Sequence, residues 1–219
     1  MAQVGQAIGV SFRTTVVSLG LIVLFGTPLA YWLGRFNFRF KRFMDTLVDL
    51  PTILPPSVAG VALLITFGRR GLLGGWLEMA GIQIAFTQIA VVMAQVFIAA
   101  PFFVRTASVG FGGIEPELEE AAQLDGANRW EVFRYVVLPL SRNALISGGM
   151  MSWARALGEF GATILFAGNL PGVTQTMPTA IYLGFEVDVN IAVTLSVILV
   201  TISFGALWLV KGLLARLSE

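Results

Sequence analysis

The sequence has no cysteine and no histidine among its 219 residues. Their absence excludes disulfide frameworks, thiol nucleophiles and imidazole bases, and it removes the usual ligands of zinc. A serine nucleophile would lack the histidine that ordinarily activates it. We therefore expect that the chain is not an enzyme and has no catalytic residue, no metal site and no cofactor of its own.

Charged residues are also scarce. They make up 12% of the chain, whereas hydrophobic residues make up 56% and the mean hydropathy is +0.82. An average soluble domain has about 25% charged residues. This composition indicates an all-α integral membrane protein. Because 14 basic residues nearly balance 13 acidic ones, the position of the charges along the chain is more informative than the net charge.

Five apolar segments approach the roughly 20 residues that a helix needs to cross the hydrocarbon core. We predict one transmembrane helix for each, and we expect the first to be retained, because it is too long for the apolar part of a signal peptide. The second is short, and the prolines before and within it are expected to bend its entry. The segments are Thr14 to Leu33, Ile53 to Phe67, Phe86 to Val109, Ala144 to Phe166 and Ile191 to Val210.

Basic residues cluster after the first and third segments and beyond the fifth. By the positive-inside rule these regions are predicted to be cytoplasmic, which places the N-terminus outside and the C-terminus in the cytoplasm. The fourth connection, residues 167–190, has no Lys or Arg, and we interpret it as an outer docking and gating surface. The basic residues used are Arg35, Arg39, Lys41, Arg42, Arg105, Arg129, Arg134, Arg142, Lys211 and Arg216.

The longest polar stretch is an insert at residues 115–138 between the third and fourth segments. Pro116 suits the first position of a helix, and Gly126 suits its left-handed end. Asn128 and Glu131 have the spacing of a capping box, which predicts a second helix that continues until Pro139 breaks it. The insert is thus predicted to be a helix, a turn and a helix at the cytoplasmic membrane surface. A solvated linker without function is the plainer alternative.

The insert resembles the EAA loop of ATP-binding-cassette importer permeases, with Val136 where the family commonly has isoleucine. Further matches extend over nearly the whole chain and are similar to the molybdate, tungstate and sulfate permeases of that family, so residues 1–219 are expected to form a single permease domain. The matching residues are Glu120-Ala121-Ala122, Gly126 and Val136-x-Leu138-Pro139 in the insert, and the runs 26–31, 49–51, 55–60 and 152–162 elsewhere.

The resemblance implies a division of labour between subunits. A homodimer of the chain would form the pathway in a prokaryotic cytoplasmic membrane, two ATPase subunits would bind ATP and Mg below it, and an oxyanion-binding protein would deliver the cargo from outside. The cargo implied is molybdate, with tungstate or sulfate and thiosulfate as alternatives; no nucleic acid is expected. The residues implied to contact the ATPase are Glu120, Ala121, Ala122, Leu124, Gly126, Leu138 and Pro139.

Arg155 and Glu159 are a charged pair inside the fourth predicted helix, and a spacing of four residues lets them neutralise each other. They serve either to fix helix packing or to present positive potential to a passing dianion. Thr52 and Ser57 are also candidates for the pathway. Both stand beside prolines, and such prolines more often kink a helix than mark a contact site. Small residues repeat every fourth position in two helices and predict close helix packing: Gly26, Ala30 and Gly34, and Ala154, Gly158 and Ala162.

Two other classes of protein compete with the importer. A membrane-embedded enzyme is disfavoured by the lack of histidine and of an intramembrane aspartate beside Glu159. A passive channel or membrane scaffold would also accommodate a polar insert. The chain has no Gly-x-x-x-x-Gly-Lys-Ser/Thr phosphate-binding loop, so an importer would take its energy from a separate ATPase.

Overall fold

The computed structural model describes residues 2–217, and within that range the chain is helical and contains no strand. A short π-helical turn, Phe133–Val137, separates the seventh and eighth α-helices. The α-helices are α1 Ala2–Arg35, α2 Lys41–Ile53, α3 Pro56–Phe67, α4 Gly74–Met79, α5 Gln88–Gly112, α6 Pro116–Leu124, α7 Arg129–Val132, α8 Leu138–Leu140, α9 Arg142–Leu157, α10 Gly161–Phe166, α11 Met177–Val187 and α12 Val189–Leu217.

Three of these helices are long and apolar enough to cross a membrane: α1, α5 and α12. With 34, 25 and 29 residues and a rise of 1.5 Å per residue, they extend about 50, 37 and 43 Å, more than the roughly 30 Å of a hydrocarbon core. They contain most of the first, third and fifth predicted segments. The count rises to four if α2 and α3 form one broken span.

The second predicted segment is bent as expected. The axes of α2 and α3 differ by 113°, and the chain turns where Leu54 and Pro55 adopt extended backbone angles ahead of Pro56, the first residue of α3. A residue before proline is disfavoured in the α conformation, which explains why the helix stops here. With 12 residues, α3 is about 18 Å long and too short to span on its own.

The expectation of one continuous helix from Ala144 to Phe166 is wrong. The helix ends at Leu157 and resumes at Gly161 as α10, with Phe160 at φ −126° and ψ −55°. At the break the Glu159 carboxylate accepts a hydrogen bond from the Ala162 N–H at 2.8 Å. That side chain thus replaces the backbone acceptor that a continuous helix would supply. The total of five spans and the sidedness of the termini stay predictions.

The centre of the fold is the contact between α1 and α5. A Cβ added at Gly26 would lie 2.9 Å from the Phe103 ring, and Phe103 and Ala30 are almost completely buried. Because lipid provides no hydrophobic force between helices, such contacts depend on small residues that let backbones approach. The predicted packing role of the Gly26, Ala30 and Gly34 stripe is confirmed.

The second predicted stripe, Ala154, Gly158 and Ala162, does not form a single packing surface among the described residues. Ala162 is fully buried against Gly60 of α3, where an added Cβ would lie 2.8 Å from the Ala162 Cα. Ala154 and Gly158, which precede the break, are exposed, whereas Ala162 follows it in α10. The close approach is therefore one contact between α3 and α10.

Buried polar side chains add hydrogen bonds to this packing. Ser18 of α1 donates to the side-chain oxygen of Gln95 on α5 at 2.9 Å, and Ser152 of α9 donates to the Ala99 carbonyl at 2.6 Å. At the other end of α1, Ser11 accepts a hydrogen bond from the Met177 N–H of α11 at 2.7 Å. Each bond satisfies a group that would otherwise lie unpaired away from water.

Replacing Gly34 with alanine is expected to destabilise the α1 and α5 contact. The added Cβ would lie 3.3 Å from both the Gly112 nitrogen and the Phe111 Cβ, and closer still to the Ser108 carbonyl oxygen. Overpacking against backbone that cannot move aside typically costs about 1–3 kcal/mol. The measurement is thermal unfolding of the purified protein in detergent.

The matched control is Gly20→Ala on the same helix, where no heavy atom lies within 4 Å of the added Cβ. That variant should be neutral or slightly stabilising, because alanine favours the helix over glycine. An unchanged unfolding temperature for Gly34→Ala would contradict the packing described here.

Candidate functional site

The first half of the insert forms the helix and turn that the sequence predicts. Pro116 begins α6, and Glu117 and Glu119 lie in its first turn, where negative charge complements the helix dipole. Gly126 follows with φ +95°, a left-handed conformation that favours glycine. The Ala127 N–H then donates to the Ala122 carbonyl at 3.0 Å and closes the helix end.

The second half begins at the predicted capping box. The Asn128 side chain accepts hydrogen bonds from the N–H groups of Trp130 at 3.0 Å and Glu131 at 3.1 Å, and the Glu131 carboxylate accepts one from the Asn128 N–H at 2.7 Å. This arrangement fixes the start of α7 and its angle to α6.

The prediction that Pro139 ends this second helix is wrong. The chain remains helical through Leu140, because the turn from Phe133 to Val137 widens to π geometry and the Leu138 N–H donates to the Phe133 carbonyl. Proline has no N–H and its ring collides with the carbonyl four residues before it in a regular α-helix. The wider turn accommodates this conflict without ending the helix.

Buried and aromatic contacts attach the insert to the membrane helices. Val132 and Val137 are buried in the same cluster as Phe111 of α5. The ring of Tyr31, near the end of α1, makes edge-on contacts with Phe133 at 5.2 Å and with Phe111 at 5.5 Å between centroids. The base of the insert is therefore packed on the ends of α1 and α5.

Most of the predicted ATPase-contacting residues lie on the exposed side of the insert. Glu120, Ala121, Gly126 and Pro139 are exposed and Leu124 is 88% exposed, whereas Ala122 and Leu138 are half-buried. Contiguous patches of exposed apolar side chains mark surfaces for partners. The exposed apolar residues of the insert, which we name the insert surface, are Leu118, Leu124, Trp130 and Tyr135.

Arg155 and Glu159 are paired as predicted, although they flank the end of α9 instead of sharing a continuous helix. The Arg155 Nη1 and Glu159 Oε2 atoms are 2.7 Å apart, and the Glu159 side chain is 1% exposed. Since its other oxygen caps α10, Glu159 holds the broken segment together. The geometry supports the structural interpretation of the pair.

Thr52 and Ser57 lie on either side of the bend between α2 and α3, and both are exposed. The Thr52 hydroxyl donates to the Asp49 carbonyl at 2.7 Å, so its hydrogen atom is engaged locally. Close packing surrounds the bend, because a Cβ added at Gly161 would lie 2.9 Å from the Pro56 Cβ. The structure brings Ser57 near the start of α10 but gives neither hydroxyl a partner on another helix among the described contacts.

A charged cluster that sequence reasoning missed joins α2 to α5. The Arg105 guanidinium donates to the carboxylates of Asp45 and Asp49, each at 2.6 Å, and to the Asp45 carbonyl at 2.7 Å. Arg105 lies inside α5 and not in the cytoplasmic connection to which the charge count assigned it. Two aspartates four residues apart on a helix, together with one arginine in an apolar helix, were the available signal.

Across residues 2–217 no group of three or more Asp, Glu, His or Cys side chains could hold a metal ion. A cavity of about 440 Å³ is lined by Arg69, Glu78, Gln83 and apolar neighbours, and it contains none of the predicted site residues. The insert surface and the charged pairs are therefore the features of the described chain that bear on its function.

A family described as binding-protein-dependent transport system inner membrane component matches residues 26–219. The chain is 40% identical to a putative molybdenum transport system permease protein of Bacillus subtilis, over 92% of this chain and 89% of that protein. It is 43% identical to the molybdenum transport system permease protein of Mycobacterium tuberculosis, over 90% and 75%. A probable sulfate transport system permease protein of Chlorella vulgaris is 40% identical, over 74% and 61%.

Solved structures of two importers resemble the fold. A chain of the MetNI methionine ABC transporter, in an inward-facing conformation, has a TM-score of 0.75 at 18% identity and covers 99% of this chain and 96% of its own length. A chain of a bacterial ABC transporter that imports the acidic polysaccharide alginate has a TM-score of 0.74 at 18% identity, with coverages of 100% and 81%. At these identities the likeness concerns the fold alone.

Replacing Arg105 with alanine is expected to loosen α2 from α5, because two aspartates would face each other without a cation. Breaking a fully buried pair costs about 3–5 kcal/mol. The Arg105 side chain is 35% exposed, so solvent screening should reduce the loss in free energy of unfolding to about 1–2 kcal/mol. Thermal unfolding in detergent measures it.

The control is Arg69→Ala, which removes an ion pair to Glu78 whose side chains are 77% and 61% exposed. Its effect should be close to zero, as for most surface pairs. Equal losses in the two variants would refute a structural role specific to Arg105.

Proposed function

The chain belongs to the family of binding-protein-dependent transport system inner membrane components, and from this premise we propose that it is the permease subunit of an ATP-binding-cassette importer that carries molybdate into the cell. The observation that supports this most strongly is the identity of 40% and above to molybdenum permeases over nine-tenths of the chain. One sulfate permease relative reaches 40% identity over only 74% of the chain, and another covers 94% of it at 34% identity. A membrane-embedded enzyme has no counterpart among these relatives.

The insert surface is the proposed docking site for the ATPase subunit. Leu124 at 88% exposure and Trp130 at 64% present apolar area that a partner would cover, and the turn at Gly126 holds their helices at a fixed angle. The remaining residues implied by the EAA resemblance, Glu120, Ala121, Ala122, Leu138 and Pro139, lie on or beside this surface. Small residues at 121 and 122 would let the partner approach α6 closely.

The other subunits follow from the same proposal. A second copy of the chain completes the pathway in a bacterial inner membrane, two ATPase subunits bind ATP and Mg on the cytoplasmic side, and a binding protein delivers the ion from outside. Closure of the ATPases moves the insert, and the spans alternate between inward-open and outward-open arrangements. A bacterial alginate ABC transporter, a chain of which has a similar fold, has been solved in complex with a periplasmic protein bound to an alginate pentasaccharide, which supports the proposed binding-protein partner.

Arg155 and Glu159 are proposed mainly to fix the packing of the broken segment, with a pathway role for Arg155 as the alternative. The observation in favour of that alternative is that the Arg155 side chain is 28% exposed while its partner Glu159 is buried. A guanidinium neutralised by a carboxylate would attract a dianion without binding it tightly. Thr52 and Ser57, exposed beside the α2 and α3 bend, remain candidates of the same kind.

Replacing Leu124 with serine should abolish binding of the ATPase subunit without unfolding the permease, because the side chain touches little of its own chain. The measurement is co-purification of the ATPase with the tagged permease in detergent. The matched control is Leu72→Ser, which removes a leucine that is 77% exposed in the connection between the second and third predicted segments, away from the insert. If both variants retain the ATPase equally, the insert surface is not its docking site.

The cargo is tested by ATP-dependent uptake of labelled tungstate into proteoliposomes that contain the permease, its cognate ATPase and its binding protein. Unlabelled molybdate should compete with the label, and sulfate at the same concentration should not. Liposomes without the permease give the background. Equal competition by sulfate would assign the chain to sulfate import instead, and uptake without ATP would indicate a passive channel.

A further inference from the structure

The last turn of α1 ends in an arginine that is almost enclosed. The Arg35 side chain is 13% exposed, and its Nη1 donates to the Ile114 carbonyl at 2.7 Å and approaches the Phe111 carbonyl at 3.5 Å. These carbonyls lie at the end of α5, where the helix leaves its last acceptors unpaired and carries partial negative charge. Arg35 therefore caps α5 from a neighbouring helix.

The same guanidinium also reaches the insert. Its Nη2 pairs with the Glu119 carboxylate of α6, and the Glu119 side chain is 15% exposed. None of the residues of α6 is buried, so apolar packing holds this helix only weakly. A charge-assisted bond shielded from water is stronger than an exposed one, which makes the pair a firm attachment of α6.

The pair connects the insert to a helix that continues to the opposite side of the molecule. From Arg35 back to Ser11, α1 is unbroken and extends about 36 Å at 1.5 Å per residue. Ser11 accepts the hydrogen bond from the Met177 N–H at the start of α11. One continuous helix, which contains Pro28, thus contacts α6 near one end and the outer connection near the other.

We propose that the ion pair between Arg35 and Glu119 is the joint that transmits movement of the ATPase-contacting insert to α1 and hence to the outer connection. This inference rests on the proposed function. A joint of this kind needs arginine, because its planar fork donates to the Ile114 carbonyl and the Glu119 carboxylate at once. A lysine ammonium is a single point charge and would hold the two acceptors less rigidly.

The test is the number of molybdate ions transported per ATP hydrolysed, measured in proteoliposomes with the ATPase and binding protein. Glu119→Gln preserves shape and removes the charge, and Arg35→Gln breaks the joint from the side that is not on the insert surface. Both should lower the ratio about fivefold or more, the size of a typical allosteric coupling, while co-purification of the ATPase is unchanged. Arg35→Lys should recover part of the loss.

Glu117→Gln is the matched control, since it removes the same charge from an exposed position on the same helix. If Glu117→Gln lowers the ratio as much as Glu119→Gln, the charge acts in docking and the inference is overturned. A wild-type ratio in Glu119→Gln or Arg35→Gln overturns it as well. If the unmodified complex neither binds the ATPase nor takes up molybdate, the failure is that of the proposed function.

Discussion

The close packing of α1 on α5 is the contact on which the rest of the structure depends. In lipid the helices gain nothing from hiding apolar surface, so the approach of backbones at Gly26 and Gly34 has to provide the attraction through many short contacts. Three other parts of the structure are attached to this pair: the insert packs on one end of it, α2 is bound to α5 through Arg105, and α11 is bonded to α1 at Ser11. A change that separated the two helices would therefore affect the insert and the outer connection together.

The parts of the fold that could be predicted are those decided by neighbours in the sequence. Apolar runs identify α1, α5 and α12 because each is long and uninterrupted, and the cap at Asn128 and the turn at Gly126 follow from residue types a few positions apart. The break between α9 and α10 could not be predicted in the same way. It depends on a buried carboxylate that turns back to cap α10, and nothing in the apolar pattern from Ala144 to Phe166 distinguishes that from an ordinary helical glutamate.

In the candidate site, too, only the features decided by neighbouring residues could be predicted from the sequence. Of the residues that the EAA pattern singles out, Glu120, Ala121 and Gly126 are exposed on the insert, and their contact with an ATPase stays a prediction. Arg35 and Arg105 contributed to the sequence interpretation only as positive charges in a count. Their partners are 84 and 56–60 positions away, and only the packing of α1, α2 and α5 brings them together. The prediction that the helix ends at Pro139 failed because the rule that proline ends a helix does not allow for a wider π-helical turn before it.

Three arginines make the connections that apolar packing leaves weak. Arg35 joins α1, the end of α5 and α6; Arg105 joins α2 to α5; and Arg155 pairs with the glutamate that caps α10. Arg35 lies at a helix end and Arg155 beside a break, where backbone or carboxylate oxygens need donors, whereas Arg105 lies inside α5 and binds two aspartates inside α2. Apolar contacts are non-directional and allow helices to slide, whereas a guanidinium fixes the orientation of the groups it binds. The interior pair of α1 and α5 can thus stay compact while the short helices around it are held in defined positions. Directional bonds therefore supplement small-residue packing both where segments turn, at Arg35 and Arg155, and between helix interiors, at Arg105.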